Sequence, residues 1–235
     1  MKETKLYKHV FFDLDQTLWD FKRTSLEVKE ELFYKFNISI INNDIDYQKF
    51  KEKYEEINAG LWEMYRNDEI DKYTLNFRRF NDTIAAFNIV DKELGKQMAD
   101  YFVHEIGKRT YFFEGALDLL DYLQKNYSLH VITNGFEEVM HERFRRHDLY
   151  KHFTTITTSE MAKSMKPHKE IFNFALSAAI ANTNECIMIG DNYDVDIMGA
   201  HNAGIDTIWV NTEEDIAENC ATYTVKNLPE IKTIL

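Results

Sequence analysis

Three consecutive apolar residues, Val10 to Phe12, open the regular part of the chain. An unbroken apolar run is typical of a strand that is covered on both faces. The run stops at residues 13–17, where four of the five residues are polar. Polar residues at this density do not fit inside a buried strand. We therefore predict that the strand ends here, against solvent or a ligand.

From about residue 22 to residue 108, apolar residues recur at the three- and four-residue spacing of amphipathic helices. Two of these series are Phe50, Tyr54, Ile57, Leu61 and Tyr65, and Leu94, Met98, Phe102 and Ile106. The stretch contains three glycines and no proline. It is predicted to be an insert of four or five helices.

After Gly115, short apolar runs alternate with helical patterns. The predicted strands are 129–133, 153–157, 186–189 and 207–210, and the predicted helices are 116–125, 137–146, 169–181 and 197–203. Alternation of this kind predicts a doubly wound α/β fold, in which helices cover both faces of a parallel sheet. We expect an α/β core of residues 1–18 and 110–235, interrupted by an all-helical domain of residues 19–109.

The composition agrees with a helix-rich α/β protein. The 235 residues include only 8 glycines and 2 prolines, whereas average usage gives about 16 and about 12. A many-stranded all-β protein needs more turn-forming residues. The apolar fraction of 44% also excludes a disordered chain.

The charge balance restricts the partners. Forty acidic residues against 28 basic ones give a formal net charge of −12, which argues against binding a nucleic-acid polymer. The basic cluster Arg143, Arg145 and Arg146 is predicted to be a solvated helix face. No apolar run approaches the roughly 18 residues of a membrane span. The N-terminus lacks the apolar core of a signal peptide, so we expect a cytoplasmic protein that has no contact with membranes.

Polar motifs fall where the predicted strands end. Asp13 and Asp15 follow the first strand, Thr133, Asn134 and Gly135 end the second, Asp191, Asp194 and Asp196 follow the 186–189 strand, and Lys166 precedes the 169–181 helix. Ligands of such sheets bind beyond the carboxyl ends of the strands. These residues are therefore expected to form one site.

The residue types at these ends suit phosphate chemistry. Asp13 and Asp15 are two positions apart, which places both side chains on one face of an extended chain. Carboxylates this close repel one another unless a cation lies between them, and an oxygen-only cluster suits Mg²⁺ better than Zn²⁺. Thr133 adds a hydroxyl group and Lys166 a positive charge, while Asn134 supplies a backbone N–H group at a helix start, which favours anions. Together they predict a phosphate-binding site with a divalent cation.

These motifs resemble those of the haloacid dehalogenase superfamily of phosphotransferases. The matching segments are 13–18 (DLDQTL), 131–135 (VITNG), Lys166-Pro167 and 190–196 (GDNYDVD). The resemblance covers nearly the whole chain, and the insert after the first motif matches the helical cap domain of that family. It implies an α/β core that carries the catalytic site and a cap that closes over the site and selects the substrate.

The resemblance also implies a mechanism. Asp13 attacks phosphorus and becomes an aspartyl phosphate, and Asp15 protonates the leaving oxygen and later takes a proton from water. The dehalogenases of the family lack the second carboxylate, so Asp15 favours a phosphatase. The implied Mg²⁺ ligands are Asp13, the Asp15 carbonyl, Asp191 and Asp196, and the implied phosphate-binding residues are Thr133, Asn134 and Lys166. Asp194 is the alternative to Asp196, or else caps the following helix.

Aromatic residues suggest the substrate class. The segments 18–21 (LWDF), Leu61-Trp62 with Tyr65, and 132–136 (ITNGF) resemble a subgroup of bacterial pyrimidine 5′-nucleotidases. By that resemblance a base could stack on Trp19, Trp62 or Tyr65, and the alternative is that these rings only pack the helices.

Three functions fit the sequence. The first is a Mg²⁺-dependent phosphomonoesterase for nucleoside monophosphates, the second a sugar-phosphate phosphatase or phosphomutase of the same fold, and the third a non-catalytic binding module. In each case the partner is a small phosphate ester. A monomer and a dimer both agree with the sequence.

Overall fold

The computed structural model describes residues 6–212 and 220–235 of the chain. These residues form two compact units. One consists of the described residues up to Phe21 and from Thr110 onward, and the other of Lys22–Arg109. Residues 19–21 thus lie in the first unit, although the sequence pattern groups them with the insert. The reason is local: Trp19 is buried, and the N–H of Asp20 donates to the carbonyl of Tyr111 (2.8 Å).

A six-stranded parallel sheet runs through the first unit. Its strands are β1 (His9–Phe12), β2 (Ser128–Thr133), β3 (Phe153–Thr158), β4 (Cys186–Gly190), β5 (Asp206–Val210) and β6 (Tyr223–Val225). They lie in the order β3-β2-β1-β4-β5-β6, and every neighbouring pair is parallel. The chain first extends the sheet on one side of β1 and then on the other, so a topological switch point lies between β1 and β4.

The second unit is entirely helical. Its helices are α1 (Phe21–Lys35, whose first residue belongs to the other unit), α2 (Ile38–Ile41), α3 (Tyr47–Arg66), α4 (Lys72–Ala85) and α5 (Lys92–Lys108). The interior is aromatic: Phe80 lies 5.1 Å from Tyr54 and 5.2 Å from Phe102, measured between ring centroids. The predicted all-helical insert is confirmed.

Helices cover both faces of the sheet. The remaining helices are α6 (Ala116–Leu123), α7 (Glu137–Arg146), α8 (Ser159–Ala162), α9 (Lys169–Ala179) and α10 (Gly199–Asn202). Val10 and Phe12 of β1 pack with leucines of α6 and with Phe144 of α7. Phe11, which points to the opposite face, packs with Phe172 of α9 and Ala200 of α10. The prediction of a doubly wound parallel sheet is therefore confirmed.

Two local features differ from the sequence pattern. The predicted helix 197–203 is a π-helical turn at Tyr193–Met198 followed by α10. The strand β6 was not predicted, because it has only three residues and two of them are exposed, so no apolar run marks it. Among the described residues, no helix combines the length and the hydrophobicity of a membrane span.

Candidate active site

The strand register brings three of the motifs to one edge of the sheet. Phe12, the last residue of β1, pairs with Val131 of β2 on one side and with Ile189 of β4 on the other. Asp13 therefore emerges between the ends of β2 and β4, and its N–H donates to the carbonyl of Ile189 (2.9 Å). Thr133 is the last residue of β2, and Asp191 directly follows the last residue of β4. The predicted convergence follows from this parallel register.

Three carboxylates gather at this edge. Asp13, Asp191 and Asp196 each offer one oxygen atom, and these atoms lie within 4.8 Å of one another. Asp194 is exposed and is not part of the cluster, and it lies inside the helical turn Tyr193–Met198, which it does not cap. The cap is Asn192, whose side chain accepts a hydrogen bond from the N–H of Val195 (3.0 Å).

Gly190 makes room for Asp196. A Cβ atom at position 190 would lie 2.5 Å from the Cβ of Asp196, so a larger residue at the end of β4 would displace the carboxylate. The N–H of Asn192 donates to Asp196 Oδ2 (3.1 Å), which fixes its direction. The glycine and the backbone of this turn together hold Asp196 in the cluster.

Lys166 contacts two of the three carboxylates, those of Asp13 and Asp196. Its Nζ lies 2.5 Å from Asp13 Oδ1, 2.7 Å from Asp196 Oδ1 and 2.9 Å from the carbonyl oxygen of Ile132. The ammonium group donates hydrogen bonds to Asp13 and to the Ile132 carbonyl, and it forms an ion pair with Asp196. Lys166 is buried, so its charge is directed at the carboxylates and not at solvent.

Burial and mutual repulsion raise the pKa of two of the carboxyl groups. Burial raises the pKa of Asp13 well above its ordinary value; Lys166 opposes this effect, and Asp196 and Asp191 add to it. Burial and the neighbouring Asp196 raise the pKa of Asp191 to about 6. Burial alone would lower the pKa of Lys166, but Asp13 and Asp196 raise it above its usual range. The single positive charge of Lys166 therefore faces three carboxyl groups and does not balance their negative charge.

The donor set fits a hard divalent cation. All three converging groups are carboxylates, and no histidine or cysteine belongs to the group in the described part of the chain. Oxygen-only sets of this kind suit Mg²⁺. A cation between the carboxylates would also relieve the repulsion that contributes to the raised pKa values of Asp13 and Asp191. Asp13, Asp191 and Asp196 are thus the side chains that could hold Mg²⁺.

The β2 end offers a hydroxyl group next to a fixed loop. The Oγ1 of Thr133 accepts a hydrogen bond from the N–H of Gly135 (2.9 Å), which leaves its proton available for an anion. The side chain of Asn134 exchanges two hydrogen bonds with the backbone of Lys166, each 2.9 Å long. Asn134 thus positions the Lys166 loop with its side chain, and its predicted phosphate contact would come from its backbone.

Asp15 lies apart from the carboxylate cluster. Its Oδ1 accepts hydrogen bonds from Trp19 Nε1 (2.6 Å) and from Arg143 Nη1 (2.9 Å). Arg143 is buried, and the prediction that it lies on a solvated helix face is wrong. Its side chain lies on the inner face of α7, together with Val139, Met140 and Phe144.

A sequence model of the haloacid dehalogenase-like hydrolases matches residues 10–210. The chain belongs to this family. It is 30% identical over 229 residues to the pyrimidine 5′-nucleotidase YjjG of Escherichia coli, covering 96% of each chain. It is 30% identical over 230 residues to the pyrimidine 5′-nucleotidase PynA of Streptococcus pneumoniae, covering 96% of this chain and 93% of PynA.

Comparison of structures agrees with the sequence match. A solved structure of the HAD-hydrolase YfnB from Bacillus subtilis, described as bound to magnesium, has a TM-score of 0.86 and 28% identity. The match covers 98% of this chain and 99% of YfnB. The family and its relatives make this chain an enzyme, a hydrolase of the phosphatase type.

Two side chains of this haloacid dehalogenase-like hydrolase reach the cluster without having been predicted. Thr17 Oγ1 lies 3.2 Å from Asp13 Oδ2 and 3.0 Å from Asp191 Oδ1, so its proton can be donated to either carboxylate. Its four-residue spacing from Asp13 was the available signal, because the loop turns like a helix and the N–H of Leu18 donates to the Leu14 carbonyl (2.9 Å). Trp209 Nε1 donates to the Asp191 carbonyl (2.8 Å), and only the sheet order brings these residues together.

The predicted aromatic contacts lie in different units. Trp19 belongs to the α/β unit and is buried; its ring packs edge-on against Phe112 and Phe144. A base therefore has no access to its face, and we remove Trp19 from the proposed substrate contacts. Trp62 and Tyr65 lie on α3 with their rings 5.7 Å apart, and both are partly exposed.

Proposed function

We propose that the protein is a Mg²⁺-dependent phosphomonoesterase that forms an aspartyl phosphate on Asp13 and hydrolyses nucleoside monophosphates, with pyrimidine nucleotides preferred. The observation that carries the reaction type is the group of Asp13, Asp191, Asp196 and Lys166 at the carboxyl edge of the sheet, in which all but the partly exposed Asp191 are buried. The nucleotide preference is supported by the 30% identity to two pyrimidine 5′-nucleotidases over nearly their full length.

The first half of the proposed reaction transfers the phosphoryl group to the protein. A carboxylate oxygen of Asp13 forms a bond to phosphorus while the bond from phosphorus to the ester oxygen breaks. Asp15 donates a proton to that oxygen, so the alcohol leaves neutral. Lys166 and Thr17 hold the two oxygen atoms of Asp13 through hydrogen bonds, which orients the nucleophile before substrate binds.

The second half regenerates the enzyme. Asp15 takes a proton from a water molecule whose oxygen bonds to phosphorus, and the bond from phosphorus to Asp13 breaks to release inorganic phosphate. Thr133 donates its hydroxyl proton to a phosphate oxygen, and the Lys166 charge offsets the added negative charge. When bound, Mg²⁺ supplies the positive charge that a dianionic phosphate needs beside three carboxylates.

Substrate selection is assigned to the helical unit. Trp62 and Tyr65 are neighbouring, partly exposed rings on α3. Aromatic rings of this kind can stack on any nucleobase, because every base has a flat π-face. The proposal makes these two rings the contact for the nucleobase, and it includes a cytoplasmic location for the enzyme.

The reaction type is tested by phosphate release from one ester with added Mg²⁺ and again with EDTA. We expect activity only with the metal. Asp13→Asn should lower kcat by at least about 10⁴-fold. The matched control is Asp194→Asn, which removes an exposed carboxylate from the turn Tyr193–Met198 and should leave kcat unchanged. Full activity of Asp13→Asn would exclude the aspartyl phosphate.

The substrate class is tested with a panel of nucleoside monophosphates, sugar phosphates and glyceraldehyde 3-phosphate. We expect the highest kcat/KM for a pyrimidine nucleotide. Turnover of sugar phosphates alone would exclude the nucleotidase and favour the sugar phosphatase. Transfer of the phosphate to a second sugar hydroxyl, seen in the products, would identify a phosphomutase.

A further inference from the structure

The carboxylate of Asp15 is held from one side only. Both hydrogen bonds described above, from Trp19 Nε1 and Arg143 Nη1, go to Oδ1. The guanidinium of Arg143 is stacked among rings, with its Cζ 5.1 Å from the ring centroid of Trp19 and 5.5 Å from that of Phe21. This packing fixes the direction from which the cation reaches Asp15.

The other oxygen faces the phosphate-binding end of β2. A Cβ atom at position 135 would lie 3.0 Å from Asp15 Oδ2 and 3.1 Å from Thr133 Oγ1. Both atoms therefore border the same small space, and a glycine leaves that space open. An alcohol oxygen leaving a phosphate held by Thr133 would depart next to Oδ2.

The burial of Arg143 calls for an explanation beyond stability. Its side chain is 1% exposed, whereas that of Asp15 is 33% exposed. A buried cation costs free energy unless it is paired, and an apolar side chain at such a position is often no less stabilising. The inner face of α7 is otherwise apolar. A guanidinium placed there is well suited to orient the carboxylate that it meets.

We propose that Arg143 and Trp19 are positioning residues that occupy Asp15 Oδ1, so that Oδ2 carries the proton transferred to the leaving oxygen. The two N–H donors occupy both lone pairs of Oδ1. A proton on this oxygen would point at the hydrogen of one of the donors, so Oδ1 stays unprotonated. The proton is thereby confined to the side of Thr133. This inference rests on the proposed phosphatase mechanism and assigns its acid step to one oxygen atom.

The leaving group distinguishes positioning from general damage. p-Nitrophenolate leaves without a proton, whereas the alcohol of a nucleotide or sugar phosphate requires one. Arg143→Met removes the charge and keeps the bulk. We expect it to lower kcat/KM about 10²-fold for the alkyl ester, within the range of general acid catalysis, and less than about 5-fold for p-nitrophenyl phosphate. Arg143→Lys, which keeps a donor, should recover part of the loss.

A second variant covers the case in which Arg143→Met does not fold. Trp19→Phe keeps an aromatic ring against Phe112 and Phe144 and removes the indole N–H together with part of the ring. It should lower kcat/KM for the alkyl ester by about 10-fold and leave kcat/KM for p-nitrophenyl phosphate unchanged. In the background of Asp15→Asn, neither substitution should reduce the alkyl-ester rate further, because the group that they position is gone.

The outcomes separate this inference from the proposed function. Equal losses on both esters, or full additivity with Asp15→Asn, would overturn the positioning role. Wild-type protein that hydrolyses neither ester, or full activity of Asp13→Asn, would instead overturn the proposed function itself.

Discussion

Both units of the molecule bury charged side chains, but they bury them in different surroundings. In the helical unit, Lys29 is 2% exposed, lies 4.8 Å from the ring centroid of Tyr54 and pairs with Glu55, which is 49% exposed. In the α/β unit, Lys166 is equally buried, yet it contacts two carboxylates and a carbonyl oxygen.

The difference shows what marks a site. A buried cation over an aromatic ring, with a partner that reaches solvent, is a packing arrangement whose charge is screened. A buried cation among carboxylates at the carboxyl edge of a parallel sheet belongs to a concentration of charge that packing alone would not create. Both units bury a lysine, and the groups that contact the lysine distinguish the site from the packing arrangement.

Replacing each lysine by methionine is the strongest way to break this comparison. Lys166→Met leaves Asp13 and Asp196 buried without compensation, so we expect the unfolding free energy in EDTA to fall by about 3–5 kcal/mol. Lys29→Met leaves Glu55 half-exposed to solvent and should change the unfolding free energy by less than about 1 kcal/mol. Denaturant unfolding of both variants measures the contrast.

The activity of the same two variants provides the control. Lys166→Met should lose at least about 10²-fold in kcat, because a charge preorganised for the phosphate is removed. Lys29→Met should retain the wild-type kcat. Equal destabilisation by the two substitutions would show that the surroundings of the lysine do not matter, and would contradict the comparison.

A pH titration sharpens the contrast, because a buried histidine lies in the α/β unit. His130 of β2 is fully buried, lies 3.0 Å from His9 (Nε2 to Nδ1) and bonds to Thr155 through Nδ1 (2.8 Å). Burial, and then the neighbouring His9, lower its pKa to about 4. The one histidine of the helical unit, His104, is exposed.

The sign of the effect follows from proton binding. Between pH 6.5 and about 4 the unfolded chain binds a proton at this position and the folded protein does not, so stability falls as the pH falls. We expect up to about 2 kcal/mol to be lost between pH 7 and pH 5 through His130. The glutamine of His130→Gln cannot titrate. Between pH 7 and pH 5 the unfolding free energy of this variant should therefore fall by about 2 kcal/mol less than that of the wild type. A wild-type and a variant profile that run parallel would exclude the effect.

The sequence was sufficient for those parts of the structure that depend on local pattern. The apolar run at Val10–Phe12 and the alternation after Gly115 predicted the parallel sheet, and parallel strands bring their carboxyl ends together wherever they lie in the order. Asp13, Asp191 and Asp196 could therefore be grouped without coordinates. The choice of Asp196 over Asp194 came from family resemblance, and in the structure Asp196 is the one that joins the cluster.

The contacts that were missed depend on packing between elements. The run of basic residues at Arg143, Arg145 and Arg146 predicts a solvated helix face from charge alone, and this pattern does not show that Arg143 lies on the apolar face of α7. Trp19 was assigned to the insert because it follows the first motif directly. Both errors concern residues that donate hydrogen bonds to Asp15. The fold buries the charge of Arg143 and the indole N–H of Trp19 there, which the local hydropathy of the sequence does not predict.

The smallest predicted effect tests the helical unit by itself. Gly60 lies inside α3, and no heavy atom approaches within 4 Å of the position that a Cβ would take. Gly60→Ala should raise the unfolding free energy by about 0.5–1 kcal/mol, because alanine loses less backbone entropy in a helix. Gly95→Ala is the matched control: its methyl group would lie 2.9 Å from the Cα of Asn81 on α4, so it should destabilise. Urea unfolding of the two variants should move in opposite directions, whereas movement in the same direction would show that helix propensity does not govern this unit.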